Sequence, residues 1–341
     1  MKKKFFYLFI SIFVFLISNT FVRNAHATLN SGDHATPLFV QNFSVSSQDT
    51  APRGITFNND GTKMYITGTT NNKIFEYTLT TAFDISTANY RASFNFGGDA
   101  YSLKFNSDGT KMFTLSYWGA GATVKEFLLN TAFDITSTAN GTTEETSYSV
   151  TSQDNKPFGL DFNNDGTKMF ITGNDGDDIN EYSLNVGFDL SEGVNFVQLK
   201  DLTHPMSLAT NEDEPFGIEF NQDGTTMFVI GTKGNDVNQY SLSTGFDIST
   251  LSFVGGLHVN LQEGNPSGIA FSPSGLKMFI TGTGGREVNE YLLKCPYNLF
   301  AGKCPSITKN KDRTGMALAQ IEIAKRTIDH STDTALNRLK W

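Results

Sequence analysis

The strongest constraint in this sequence is that it repeats itself five times. Gly54-Ile-Thr-Phe-Asn-Asn-Asp-Gly-Thr-Lys-Met-Tyr-Ile-Thr-Gly68 returns nearly unchanged as Gly159-Leu-Asp-Phe-Asn-Asn-Asp-Gly-Thr-Lys-Met-Phe-Ile-Thr-Gly173. Further copies start at Ser102, Gly217 and Gly268, at spacings of 48, 57, 58 and 51 residues. A second mark follows in each copy: Glu76-Tyr77, Glu126-Phe127, Glu181-Tyr182, Gln239-Tyr240 and Glu290-Tyr291. Four copies then show Phe-Asp, at Phe83-Asp84, Phe133-Asp134, Phe188-Asp189 and Phe246-Asp247, and the fifth is read as ending before that point, at Cys295. A chain built this way folds as an array of one supersecondary unit.

Each unit reads as four short strands. An Asp-Gly turn between apolar runs marks a hairpin, because glycine accepts positive φ. The runs around it are rich in Ile, Phe, Tyr and Thr, which suit a pleated surface. Four strands at a period near 50 predict an all-β, five-bladed β-propeller over residues 28–294. The fifth unit lacks a fourth strand, whereas Leu38 to Ser44 looks like a fourth strand with no unit before it. The N-terminal strand is therefore expected to complete the last blade and close the ring, removing exposed sheet edges. An open array and closure through a dimer are the alternatives. The 30 Phe and 11 Tyr can fill such a core, and two Cys are too few for a disulfide-dense or Cys-rich zinc protein.

Pro266-Ser-Gly-Ile-Ala-Phe-Ser-Pro-Ser-Gly-Leu-Lys-Met-Phe-Ile-Thr-Gly282, followed by Val288-Asn-Glu-Tyr291, resembles the YVTN-type surface-layer propeller repeat. It is also similar to the repeat of periplasmic Tol-system propellers. The copies here are longer, and Asn replaces the usual Ser-Pro in four of them. The resemblance implies the fold. It divides on function, because such repeats occur both in lactonase-like enzymes and in plain binding scaffolds.

The chain ends differ from this body. Residues 1–27 order a basic start (Lys2–Lys4), a 13-residue apolar run from Phe5 to Ile17, and Ala25-His26-Ala27. That is the pattern of a secretory signal peptide, with cleavage expected after Ala27, and the run is short of the ~20 residues that a spanning helix needs. An uncleaved anchor is the other reading. Export to the periplasm, cell surface or medium would let Cys295 and Cys304 form a disulfide within a linker over 295–313. Residues 314–341 carry Ala317, Ile321, Ala324, Ile328 and Ala335 at helical spacing, predicting an amphipathic helix. This tail resembles the segment preceding the membrane barrel of autotransporter-like proteins of marine bacteria. The resemblance implies a passenger whose partner is an outer-membrane barrel, and docking on the propeller or on another chain is the plainer alternative.

Charge narrows the partners. Residues 28–304 hold 15 basic and 31 acidic side chains, a net −16, which disfavours nucleic acid and favours cations or basic surfaces. Propeller geometry places the fourth-to-first and second-to-third loops on one face, here called the top. The bottom turns, Asn-Asn-Asp-Gly-Thr-Lys and Phe-Asp-Ile-Ser-Thr, are monotonous and need only their backbone geometry. The top loops vary and supply the binding candidates Tyr117, Trp118, Asp175, Asp177, Asp178, Asp236 and Arg286. An exposed Trp118 would suit sugar stacking or a protein contact, whereas a Trp packed between blades would be structural.

Acids also recur before the inner strands: Asp49, Asp154, Glu212 and Glu263 lie five residues ahead of their glycines, and Asp99 lies three ahead of Ser102. They could ring the channel mouth around a cation, with calcium the candidate cofactor, or each could organise its own turn. Asp161 and Glu219, on two inner strands, are the weak candidates for a catalytic carboxylate pair. No Gly-x-Ser-x-Gly elbow or phosphate loop occurs, and His34, His204 and His258 have no metal spacing. The sequence therefore reads as an exported binding scaffold for a glycan or a surface protein. A glycosidase or lactonase-like hydrolase and a ligand-free structural spacer are the rivals.

Overall fold

A computed structural model describes residues 37–117, 121–141, 144–202, 214–300 and 304. Among these residues the chain forms five antiparallel four-stranded sheets, with two single-turn 3-10 segments as the only helical structure. Blade 1 is β2 (Pro52–Phe57), β3 (Lys63–Gly68), β4 (Lys73–Leu79) and β5 (Ala88–Phe94). Blade 2 is β6 (Ser102–Phe105), β7 (Lys111–Ser116), β8 (Thr123–Leu128) and the short β9 (Thr146–Ser149). Blade 3 is β10 (Pro157–Phe162), β11 (Lys168–Gly173), β12 (Asp178–Val186) and the long β13 (Asp189–Asp201). Blade 4 is β14 (Pro215–Phe220), β15 (Thr226–Gly231), β16 (Asp236–Leu242) and β17 (Leu251–His258). Blade 5 joins β18 (Pro266–Phe271), β19 (Lys277–Gly282) and β20 (Glu287–Leu292) to β1 (Leu38–Ser44).

The ring closes as the sequence predicts. β1 runs antiparallel to β20, with Phe39 opposite Tyr291 and Asn42 opposite Asn289. The inner strands contact one another in turn around the axis, β18 meeting β2. Five large apolar clusters fill the body, and each is drawn from two neighbouring blades; Phe75 and Tyr77 of blade 1, for instance, pack with Phe279 and Val288 of blade 5. The repeat of aromatic residues now has a cause. The ring on each second strand packs on the Phe ending the next blade's inner strand, with centroids 4.5–4.8 Å apart at all five junctions: Phe279–Phe57, Tyr65–Phe105, Phe113–Phe162, Phe170–Phe220 and Phe228–Phe271. Such pairs add to the burial of their area.

The monotonous bottom turns are joints between blades. Gly61 of the first Asp-Gly turn has φ 72°, and a Cβ there would lie 2.2 Å from the Phe83 ring, so the turn needs glycine twice over. Phe83 itself sits at φ 55°, with Phe133, Phe188 and Phe246 in the same conformation. Their carbonyls are turned toward the preceding blade. Lys63, Lys111, Lys168 and Lys277 donate to the carbonyls of Phe133, Phe188, Phe246 and Phe83 at 2.7–2.8 Å. The same ammonium groups pair with the buried third-strand carboxylates Glu76, Glu126, Glu181 and Glu290 at 2.7–3.1 Å.

One reading of the chain end needs correction. The fifth copy does not stop at Cys295: Tyr297 takes φ 50° and its N–H donates to the Gly275 carbonyl at 2.9 Å, as Phe83 does to Gly61. Tyr297-Asn298 is thus the fifth Phe-Asp mark, disguised by two conservative replacements. Both cysteines of the chain, Cys295 and Cys304, are disulfide-bonded. The leader over 1–27, residues 305–313 of the linker and the helix expected over 314–341 lie outside the described residues.

Candidate functional site

Near the start of each inner strand stands the residue before the repeat glycine. These equivalent positions are Arg53, Tyr101, Phe158, Phe216 and Ser267, followed by Gly54, Ser102, Gly159, Gly217 and Gly268. The glycines explain how the ring of strands draws so tight. A Cβ on Gly159 would fall 2.4 Å from the Phe216 carbonyl, and one on Gly268 would fall 2.3 Å from the Arg53 carbonyl. Side-chain hydroxyls then tie blade to blade: Thr67 Oγ1 donates to the Tyr101 carbonyl and Thr172 Oγ1 to the Phe216 carbonyl, both at 3.1 Å. The cleft left along the axis is narrow and is lined by Gly54, Tyr101, Ser102, Lys104, Phe158 and Gly217 among others.

The mouth of this cleft is an aromatic platform. Phe158 and Phe216 stack with centroids 4.0 Å apart and planes 11° from parallel. Tyr117, from the blade 2 top loop, stacks on Tyr101 at 4.7 Å and meets Phe158 edge-on at 5.8 Å. Arg53 lies over the edge of the platform, its guanidinium carbon 5.8 Å from the Tyr101 centroid and 5.4 Å from that of Phe216. Tyr101, Phe158 and Phe216 are each 8% exposed, whereas Arg53 and Tyr117 are half-buried and face the solvent edge.

Lower in the channel, the equivalent inner-strand positions are Thr56, Lys104, Asp161, Glu219 and Ala270. The two carboxylates singled out from sequence do come together, but around a cation that sequence reasoning missed. Lys104 Nζ lies 3.1 Å from Asp161 Oδ1 and donates a short hydrogen bond to Glu219 Oε2. Asp161 Oδ2 accepts from the Phe220 N–H at 2.9 Å, so its second oxygen is also occupied. The three side chains are 13%, 11% and 19% exposed. Burial pushes the Glu219 carboxyl up to about 7; Lys104 opposes that rise and Asp161 adds to it. Burial works against the Lys104 charge, but the two carboxylates outweigh it and hold the ammonium above its usual range. The two carboxylates are thus clamped on one lysine beside the narrow cleft.

The acids of the top loops serve their own blades. Asp49 Oδ1 accepts from the Ala51 and Thr70 N–H groups and Oδ2 from the Asn71 N–H, at 2.7–3.2 Å. Glu263 does the same with the N–H groups of Asn265, Gly284 and Gly285. Asp154 accepts from the Lys156 N–H at 2.6 Å, and burial pushes its carboxyl up to about 6, with Asp178 and Asp175 adding to the rise. Asp49 and Glu263 thus pin the two top loops of their blades together, while Asp154 caps its own turn. Asp99 is raised mainly by burial, with Asn72 and Arg53 pulling the other way. Glu212 lies outside the described residues, and among the described residues no three His, Cys, Asp or Glu side chains converge for a metal. Of the two roles read for these acids, the hydrogen bonds of Asp49, Asp154 and Glu263 match the organising of each one's own turn.

The remaining binding candidates scatter over the top face. Asp175 is exposed and accepts from Asn155 Nδ2 at 2.7 Å. Asp177 and Arg286 occupy left-handed turn positions at φ 49° and 57°. Asp178 and Asp236 are buried and accept from Asn180 and Asn238. Trp118 lies outside the described residues. Of the described members of that set, only Tyr117 joins the mouth platform. Arg53, Tyr101, Phe158 and Phe216 were missed, although one signal could have found them: aligned by their glycines, the five repeats carry four different residue types at the position just before it.

No protein-family model matches the sequence, and neither does any curated protein. Solved structures do resemble the fold. A protein of unknown function from Desulfotomaculum acetoxidans aligns at 11% identity and TM-score 0.43, covering 68% of this chain and 62% of its own. A luciferin-regenerating enzyme aligns at 9% identity and TM-score 0.47, covering 76% and 96%. A periplasmic gluconolactonase from Pseudomonas aeruginosa aligns at 14% identity and TM-score 0.42, covering 71% and 66%. The chain therefore spans less than two thirds of the length of the first and third of these. The likenesses are distant and carry no functional weight; the chain is an all-β, five-bladed propeller on the evidence of its own sheets.

Proposed function

We propose that this chain is an exported binding propeller that holds a carbohydrate at the channel mouth of its top face, without catalysing a reaction. The observation that carries the reading is the divergence of five equivalent positions into Arg53, Tyr101, Phe158, Phe216 and Ser267, while the bottom turns stay uniform. Three of those five are aromatic and brace the mouth from within, and the half-buried Tyr117 adds a fourth ring at the solvent edge, where an aromatic side chain suits the C–H surface of a sugar. Repeats that served only as a spacer would have no need to vary there. The leader-like first 27 residues and the surface-layer resemblance support export, which cell fractionation with a C-terminal tag would check.

Purified protein on a glycan array tests the function. Binding that falls at least about tenfold in Tyr117→Ala, with unchanged melting, supports it. A blank array, or binding indifferent to Tyr117, rejects it. One observation favours a hydrolase instead: Glu219 is held near neutrality, where an acid catalyst belongs. Lys104 between the two carboxylates and the closed channel favour the binding reading. Turnover of aryl glycosides or lactones that vanishes in Glu219→Gln would reverse that preference.

A further inference from the structure

The mouth also bears on what kind of sugar is held, a point that rests on the binding reading above. We propose that the ligand is a singly carboxylated carbohydrate and that Arg53 receives its carboxylate.

Arg53 is unlike the cations that hold the blades together. Lys63, Lys111, Lys168 and Lys277 each pair with a buried glutamate, Arg91 with Glu76 and Asp134, and Lys104 with Asp161 and Glu219. Among the described residues no carboxylate lies within ion-pair distance of Arg53. Its Nε donates a long 3.4 Å bond to Thr69 Oγ1, and its Nη donors have no acceptor there. A guanidinium over aromatic rings engages them through its face, while its N–H donors lie in its plane. The donors are therefore available to a planar, bidentate acceptor, which is what a carboxylate offers.

The group is also held in place before any ligand arrives. Ser267 Oγ donates to the Arg53 carbonyl at 3.0 Å, and the missing Cβ of Gly268 admits that carbonyl against the neighbouring strand. Tyr101 and Phe216 then fix the side chain from the far side. Pre-organisation of this kind lowers the entropy lost on binding. Charge sets the ligand's valence. A single guanidinium at the mouth, with Asp99 near enough to feel its charge, in a body of net −16 favours a monoanion and repels a polyanion. A uronic-acid residue at the end of a neutral chain presents both a carboxylate and an apolar sugar face for the adjoining rings.

The test compares a disaccharide ending in glucuronic acid with its methyl ester, by calorimetry on the intact protein. The acid should bind about tenfold more tightly at low ionic strength, with the gap narrowing as salt rises. Arg53→Gln should erase the gap by weakening the acid far more than the ester, and Arg53→Lys should restore part of it. Equal binding of acid and ester by the unaltered protein overturns this proposal alone, and needs no variant to be folded. A gap that survives Arg53→Gln overturns it too, as does tighter binding of the matching sulfate ester. Failure to bind either disaccharide, with a blank array, overturns both this proposal and the carbohydrate reading.

Discussion

Four of the five blade junctions are charged and one is neutral, and the contrast shows how the repeat is held together. At the charged junctions a lysine on the second strand meets a buried glutamate on the third and reaches the carbonyl of the next blade's left-handed Phe. Between blades 4 and 5 all the charges are gone together. Thr226 stands for the lysine, Gln239 for the glutamate and Asn298 for the aspartate. The geometry nonetheless persists: the Leu299 N–H donates to Gln239 Oε1 at 2.9 Å, as the Ile135 and Leu190 N–H groups donate to Glu76 and Glu126 at 3.3 and 2.9 Å. What the fold requires at this position is an acceptor oxygen, not a charge. Where a charge is used, a buried carboxylate must have its cation, because removing one partner leaves an uncompensated buried ion.

That comparison can be broken by moving single members. Gln239→Glu puts a carboxylate in the neutral junction with no lysine and should cost about 3–5 kcal/mol of unfolding free energy at neutral pH. Adding Thr226→Lys should recover much of the loss, and a double-mutant cycle in urea would read the coupling; additive effects would show that the two positions are independent. Lys168→Met strands Glu181 with only Gln198, at 2.8 Å, as a side-chain partner, and should cost about 2–4 kcal/mol by the same measurement. Opening the disulfide with reductant removes a short-loop crosslink beside the neutral junction. Thermal melting should register about 2–3 kcal/mol, and no change would mean that the joint is held by packing alone.

The last effect concerns Glu219 and is read as a slope with pH. Its carboxyl rises from an ordinary 4.5 to about 7 in the folded protein, so folding retains a proton that the unfolded chain would release between those values. Its contribution to stability is full below about pH 4.5 and is lost as the pH rises through 7. Denaturation midpoints should therefore fall between pH 5 and pH 8, and Glu219→Gln should flatten that slope. A slope unchanged in the variant would assign the pH dependence to other groups.

Much of this was legible in the primary structure. The Gly-x-x-Phe…Asp-Gly…Lys-Met-x-Ile pattern writes out its own strand, turn and strand, and the unmatched segment from Leu38 to Ser44 announced how the ring would close. Tyr297-Asn298 escapes a match on identical letters, whereas the turn needs only a ring in a left-handed conformation and a short polar neighbour. The candidate site was harder to see. Asp49, Asp154 and Glu263 look like a ring when counted from their glycines, yet each carboxylate is engaged by the nearest backbone N–H groups, contacts too local for spacing to reveal.

The sequence by itself determined the repeat, the blade count and the alternation of uniform and variable turns, because these depend on local preferences expressed in each copy. Only the tertiary structure decided that Lys104 stands between Asp161 and Glu219, and that Arg53 lies over Tyr101 and Phe216 without a carboxylate partner among the described residues. Those neighbours sit 48 to 163 positions apart along the chain and meet only because five inner strands converge on one axis.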